Sequence, residues 1–165
     1  DLSRFSAEGD SKLQFNVPMI IYVVRLSPAK NQQCLINAIK NLDVKLLLVG
    51  DGPCYSDLIS LTKKLGIGKK IDFIKSVPNK ELGVYYRSAD LFAAPIKQGG
   101  ISIPMLEAMA CGTPILISER QKGEKEDMDE EFGKIIVDYE GTTQDEELIV
   151  LSKKNIYRIK KEPPR

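Results

Sequence analysis

Apolar runs rich in β-branched and aromatic residues recur along the chain: MIIYVV (Met19–Val24), KLLLVG (Lys45–Gly50), IDFI (Ile71–Ile74), LFAAPI (Leu91–Ile96), ILIS (Ile115–Ser118) and KIIVDY (Lys134–Tyr139). Their near-continuous hydrophobicity suits parallel strands covered on both faces. The stretches between them are amphipathic. In NQQCLINAIKNL the apolar residues Cys34, Leu35, Ala38 and Ile39 fall on one helical stripe. SDLISLTKKLG closes with two lysines and Gly66, which suit a helix C-terminus. NKELGVYYRSA and SIPMLEAMACG continue the set, and Gly112 is read as a second stop. Strand starts fall about 20–26 residues apart, the pitch of βα units joined by short loops. The pattern predicts an α/β fold: a doubly wound, Rossmann-like parallel sheet of about six strands with helices on both faces.

Two regions break this rhythm. Residues 1–17 are polar and irregular and read as a linker leading into a domain that spans 18–165. Glu119–Gly133 carries ten charges in fifteen residues, the mark of a solvated loop. Beyond Gly141, QDEELIVLSKKNIYRI (Gln144–Ile159) is read as a last helix, followed by a frayed KKEPPR tail.

Composition narrows the functional classes. The chain has 165 residues, 42% of them hydrophobic and 28% charged, enough for one well-buried domain. A net charge of +1 leaves no electrostatic footprint for nucleic acid. No run approaches the roughly 18 apolar residues of a membrane span. Histidine is absent, which excludes His-based triads and most zinc sites. Three isolated cysteines, Cys34, Cys54 and Cys111, point to a reducing, cytoplasmic compartment.

In open α/β sheets ligands bind beyond the carboxyl ends of the strands. The residues there are Arg25 and Lys30 after the first run, Gly50–Pro53 (GDGP) after the second, KSVPNKEL after the third and KQGGIS after the fourth. Two cations and two glycine-bearing turns on one edge favour an anion, most simply a diphosphate. Gly99 and Gly100 allow close approach of backbone to ligand, although they lack dinucleotide-fingerprint spacing. Ser102 suits the N-cap of the next helix, with Pro104 in its first turn. Glu107 is the only charged residue between Lys97 and Glu119. A carboxylate in so apolar a helix needs partners. Ribose hydroxyls fit that need, and so does a structural role in capping a loop or pairing with a lysine.

RLSPAKN, LLLVGDGP, YYRSADLFAAP and IPMLEAMACGTPILIS, in this order, resemble the C-terminal domain of family 4 (group 1) retaining glycosyltransferases of GT-B architecture. DLSRF at the start is similar to that family's interdomain linker. The resemblance implies transfer of a sugar from a nucleotide diphosphate sugar to an acceptor with retention, without a metal or cofactor. This chain would supply the donor site, and an N-terminal domain absent from it would bind the acceptor. By itself the chain would bind a nucleoside diphosphate and transfer nothing. Peripheral membrane attachment through the other half is compatible with such an enzyme. Carried across, Arg25 and Lys30 are catalytic, holding the diphosphate and stabilising the departing nucleotide. Such stabilisation is worth about 3–4 kcal/mol per well-placed donor. Glu107 matches the second glutamate of the family's Glu-x7-Glu motif and would bind the ribose. Main-chain amides around Ile101, Ser102 and Ile103 would touch phosphate, and the turn at Ser76 and Val77 would read the base. The motif's first glutamate falls on Gly99, beside Gln98, which offers a neutral substitute. That departure keeps open an alternative: a non-catalytic nucleotide-sugar-binding domain or subunit.

Overall fold

The computed structural model describes residues 4–11, 13–96, 102–118, 136–137, 147–151 and 156–160. The expected strands form at β1 (Met19–Val23), β2 (Lys45–Val49), β3 (Ile71–Ile74), β4 (Leu91–Ala94), β5 (Ile115–Ser118) and β6 (Ile136–Val137). All pair in parallel, in the order β3-β2-β1-β4-β5-β6. Helices α1 (Gln32–Ala38), α2 (Tyr55–Lys64), α3 (Leu82–Ser88) and α4 (Ile103–Ala110) follow β1 to β4 in turn. The chain moves outward from β1 to β3, then returns to lay β4 on the other side of β1. With right-handed crossovers, α1 and α2 cover one face and α3 and α4 the other. In agreement, α1 packs on α2 and α3 on α4.

Burial confirms that both faces are covered. Leu46, Leu47 and Leu48 of β2 are each at most 2% exposed, although neighbouring side chains of a strand point to opposite faces. The register between β1 and β4 is pinned at their base. Met19 N–H donates to Asp90 Oδ2 at 2.8 Å, and Asp90 N–H donates to the Met19 carbonyl at 2.9 Å. The two glycine stops hold: Gly66 and Gly112 adopt φ values of 68° and 71° just past α2 and α4.

The N-terminal residues are irregular, as expected, yet they are docked. Phe5 is buried, with its ring edge-on to Tyr86 at 5.9 Å between centroids. Arg87 of α3 donates to the Ser6 carbonyl at 3.1 Å and the Asp10 carbonyl at 3.0 Å. Leu13 N–H donates to Ser88 Oγ at 3.2 Å. Residues 4–11 and Leu13 are thus strapped along α3, by contacts too far apart in sequence to show in a local pattern.

The last expected helix is corrected. Within residues 144–159 the chain forms strand β7 (Glu147–Leu151), antiparallel to β8 (Ile156–Lys160), with Ile149 opposite Arg158. The physical reason is composition: Ile149, Val150, Ile156 and Ile159 are β-branched and Tyr157 aromatic, and such residues lose side-chain freedom in a helix. The charged loop 119–133 and the tail residues 161–165 lie outside the described residues.

Candidate functional site at the carboxyl edge of the sheet

The sheet reverses direction between β1 and β4, and the crevice at such a switch point is where ligands of doubly wound folds sit. Arg25 lies two residues beyond β1 and is exposed; Lys30 ends a 3-10 turn, Pro28–Lys30, and is half-buried. Neither side chain has an ion-pair partner among the described residues. Their main chain, by contrast, is held from within. The amide of Gln32, itself 2% exposed, donates to the Arg25 carbonyl at 3.0 Å. The buried Tyr22 hydroxyl donates to the Lys30 carbonyl at 2.9 Å. Asn31 Nδ2 donates to the Pro95 carbonyl at 3.0 Å, joining the Lys30 turn to the chain just past β4. Asn31 adopts φ 58°, left-handed backbone that asparagine tolerates better than most residues.

A second clamp comes from the GDGP turn. Leu26 N–H donates to the Asp51 carbonyl at 3.0 Å, and Cys54 N–H donates to the Leu26 carbonyl at 3.1 Å. Gly50, at φ 143°, presses on the other side of Arg25: a Cβ there would stand 1.9 Å from the Val24 carbonyl oxygen. The turn is structural, and what it structures is the segment that carries Arg25.

Glu107 is in the fifth position of α4 and only 8% exposed. Its Oε2 accepts the Tyr86 hydroxyl at 2.8 Å, so its side-chain partner among the described residues comes from α3, and no lysine or loop there pairs with it. Ser102 occupies the N-cap position of α4, in extended backbone, with its carbonyl accepting from Met105 and Leu106 N–H. Ile103 is 70% exposed at the helix start. Ser76 is exposed and Val77 half-buried against the core, on the same sheet edge but two strands removed from β1. Gln98, Gly99, Gly100 and Ile101 lie outside the described residues. The fold therefore gathers Arg25, Lys30 and the start of α4 around one switch point.

The supporting groups Tyr22, Asn31, Gln32 and Tyr86 were not singled out from sequence. Asn31 and Gln32 blend into the polar flank of α1, and Tyr86 is one of two adjacent tyrosines. A signal existed for Asn31, an αL-tolerant residue at the junction between a Pro-containing turn and a helix.

Burial raises both Tyr22 and Tyr86 well above the usual tyrosine value near 10, and for Tyr86 the hydrogen bond to Glu107 adds to the rise. Unfolded, these phenols would lose their protons from about pH 10 upward, whereas the folded chain retains them. Stability is therefore full below about pH 10 and falls as pH rises beyond it, by about 1.4 kcal/mol per pH unit for each tyrosine. Urea midpoints measured between about pH 9 and pH 11 should show this loss, and a Tyr22→Phe variant should show a shallower one.

Comparison with known proteins bears on the family and the fold. The family model described as glycosyl transferases group 1 matches residues 6–157. The chain belongs to the group 1 glycosyl transferase family. Among curated members of the family, a GDP-mannose-dependent alpha-(1-6)-phosphatidylinositol monomannoside mannosyltransferase of Mycolicibacterium smegmatis is 30% identical over 135 residues, covering 70% of this chain and 35% of that protein. A D-inositol 3-phosphate glycosyltransferase of a Mycobacterium species is 33% identical over 105 residues, covering 59% of this chain and 24% of its own. Sucrose-phosphate synthase from Thermosynechococcus elongatus superposes with a TM-score of 0.71 at 27% identity, over 83% of this chain and 37% of that one. HepE of Anabaena, solved with UDP and glucose, gives 0.59 at 25% identity, over 64% of this chain and 30% of its own. The chain thus spans between 24% and 37% of the length of these relatives and neighbours, and its Rossmann-like fold is that of the GT-B neighbours. No helix among the described residues is long and apolar enough to cross a membrane.

Proposed function

We propose that this chain supplies the donor site of a glycosyltransferase that moves a sugar from a nucleotide diphosphate sugar to an acceptor with retention of anomeric configuration. Arg25 and Lys30 hold the diphosphate and offset the charge that grows on it as the sugar departs. The main-chain amides of Ser102 and Ile103, at the start of α4, approach the same phosphates. Glu107 accepts the ribose hydroxyls, and the turn at Ser76 and Val77 lies against the base. The acceptor is met by a domain outside this chain, and neither metal nor cofactor takes part. The observation that carries the reading is a pair of cations with no ion-pair partner among the described residues, on a main chain held at the switch point by buried Gln32 and Tyr22. A main chain already fixed at this point leaves only the two side chains to be ordered when a dianion arrives. A relative whose name specifies GDP-mannose, and a neighbour solved with UDP and glucose, support a nucleotide sugar as the class of donor.

Titration calorimetry tests the assignment. Binding of UDP or GDP should weaken about tenfold or more in Arg25→Ala and in Lys30→Ala, while binding of the bare nucleoside stays unchanged. Equal loss for both ligands would overturn the roles given to the two cations. A non-catalytic binding domain is the second reading, favoured by Gly99 standing where the resemblance puts a carboxylate. Sugar transfer by the full-length protein supports the enzyme, and transfer that emerges only with Gly99→Glu supports the binding domain.

A further inference from the structure

We infer that Tyr86 is a positioning residue for the donor site: its hydroxyl fixes the Glu107 carboxylate in the rotamer that receives the two ribose hydroxyls. The inference rests on the ribose role proposed for Glu107 and goes beyond it, since Tyr86 itself touches no ligand. A glutamate side chain has three rotatable bonds, and ordering it costs conformational entropy. Here part of that ordering is complete before a ligand binds, because Oε2 accepts the Tyr86 hydroxyl at 2.8 Å in a buried pair.

The tyrosine is well placed to act as a fixed point. Its ring is fully buried, edge-on to Phe5 at 5.9 Å and tilted against Phe92 at 6.1 Å. Its carbonyl accepts the Thr113 hydroxyl at 2.6 Å, which ties α3 to the turn after α4. The phenol, raised far above its ordinary pKa by burial, keeps its proton and remains a donor across the working pH range. An ionised carboxylate has about four lone-pair sites, so one donated bond leaves room for a neighbouring diol. The N-terminal strap takes part through Phe5: the ring that buries the segment is the one that carries the hydroxyl.

The test compares UDP with 2′,3′-dideoxy-UDP, and GDP with its dideoxy counterpart, by calorimetry on the full chain. The pairs share base and diphosphate and differ only in the diol. The unmodified protein should prefer the diol, and Glu107→Ala should abolish that preference. Tyr86→Phe, which retains the ring, should reduce it about tenfold while leaving dideoxy-UDP affinity unchanged. In a Glu107→Ala background, Tyr86→Phe should have no further effect on the preference. Persistence of the preference in Glu107→Ala would remove the ribose role of Glu107, and this inference with it. Loss in Glu107→Ala but not in Tyr86→Phe would overturn the positioning role alone. Equal weakening of both ligands in Tyr86→Phe would mark Tyr86 as merely structural. If Tyr86→Phe does not fold with its carboxylate unpaired, the pair Tyr86→Phe/Glu107→Gln removes that charge. Its diol preference should then fall below that of Glu107→Gln alone, and equality would overturn the proposal.

Discussion

Replacing Gly50 by alanine is expected to cost about 4 kcal/mol or more, a large part of the roughly 5–15 kcal/mol that holds a domain together. Two penalties combine. At φ 143° an L side chain is strained whatever space surrounds it, and the new Cβ would stand 1.9 Å from the Val24 carbonyl oxygen. That oxygen is backbone, so relief requires moving the segment that leads into Arg25. Gly52→Ala should behave similarly, because its Cβ would lie 2.3 Å from the Leu26 carbonyl oxygen on the other side of Arg25. Gly68→Ala is the control, with nothing within 4 Å of its Cβ and no positive φ. Urea denaturation checks the ranking: midpoints should drop sharply for the first two and shift by less than about 1 kcal/mol for the third. Equal midpoints for Gly50→Ala and Gly68→Ala would show that the turn does not brace the Arg25 segment.

The second large effect concerns the strap. Phe5→Ala should destabilise the chain by about 3 kcal/mol, at the lower end for a buried phenylalanine because the segment is peripheral. Phe15 supplies the contrast. It is 40% exposed, its ring 5.6 Å from the Lys45 ammonium, and its truncation should cost less than about 1 kcal/mol. Hydrogen exchange at Ser6–Asp10 provides a local readout, since loss of the Phe5 anchor should raise exchange there well before the sheet opens. A loss below about 1 kcal/mol in Phe5→Ala would mean that the strap lies on α3 without stabilising it.

The sheet was legible in the sequence because each strand is a short apolar run that needs cover on both faces, and that signal is local. The helices were legible from stripes such as Cys34, Leu35, Ala38 and Ile39, and from the glycines that end them. The β7–β8 hairpin was not, because a mixed run of apolar and charged residues fits a helical stripe as readily as a strand. Only the weight of Ile149, Val150, Ile156 and Tyr157 tips it toward pairing. The candidate site was read as a set of residue types at strand ends; among the described residues, Arg25 and Lys30 follow β1 and Ser102 and Ile103 open the helix after β4, on either side of the switch point. What the pattern could not display were contacts between distant positions. Tyr86 meets Glu107 across 21 residues, Asn31 meets Pro95 across 64, and Arg87 meets Ser6 across 81. Such pairings arise from the folding of the whole sheet, and no window of local sequence contains them.

The Asn31 bridge has a bearing on how a guest would be received. With its amide locked onto Pro95, the two lips of the crevice are stitched together on opposite sides of the chain reversal. At that one point the spacing between the Lys30 turn and the chain just past β4 is set by the protein itself. A guest arriving there would meet two segments already spaced, so that less of their ordering remains for binding to supply.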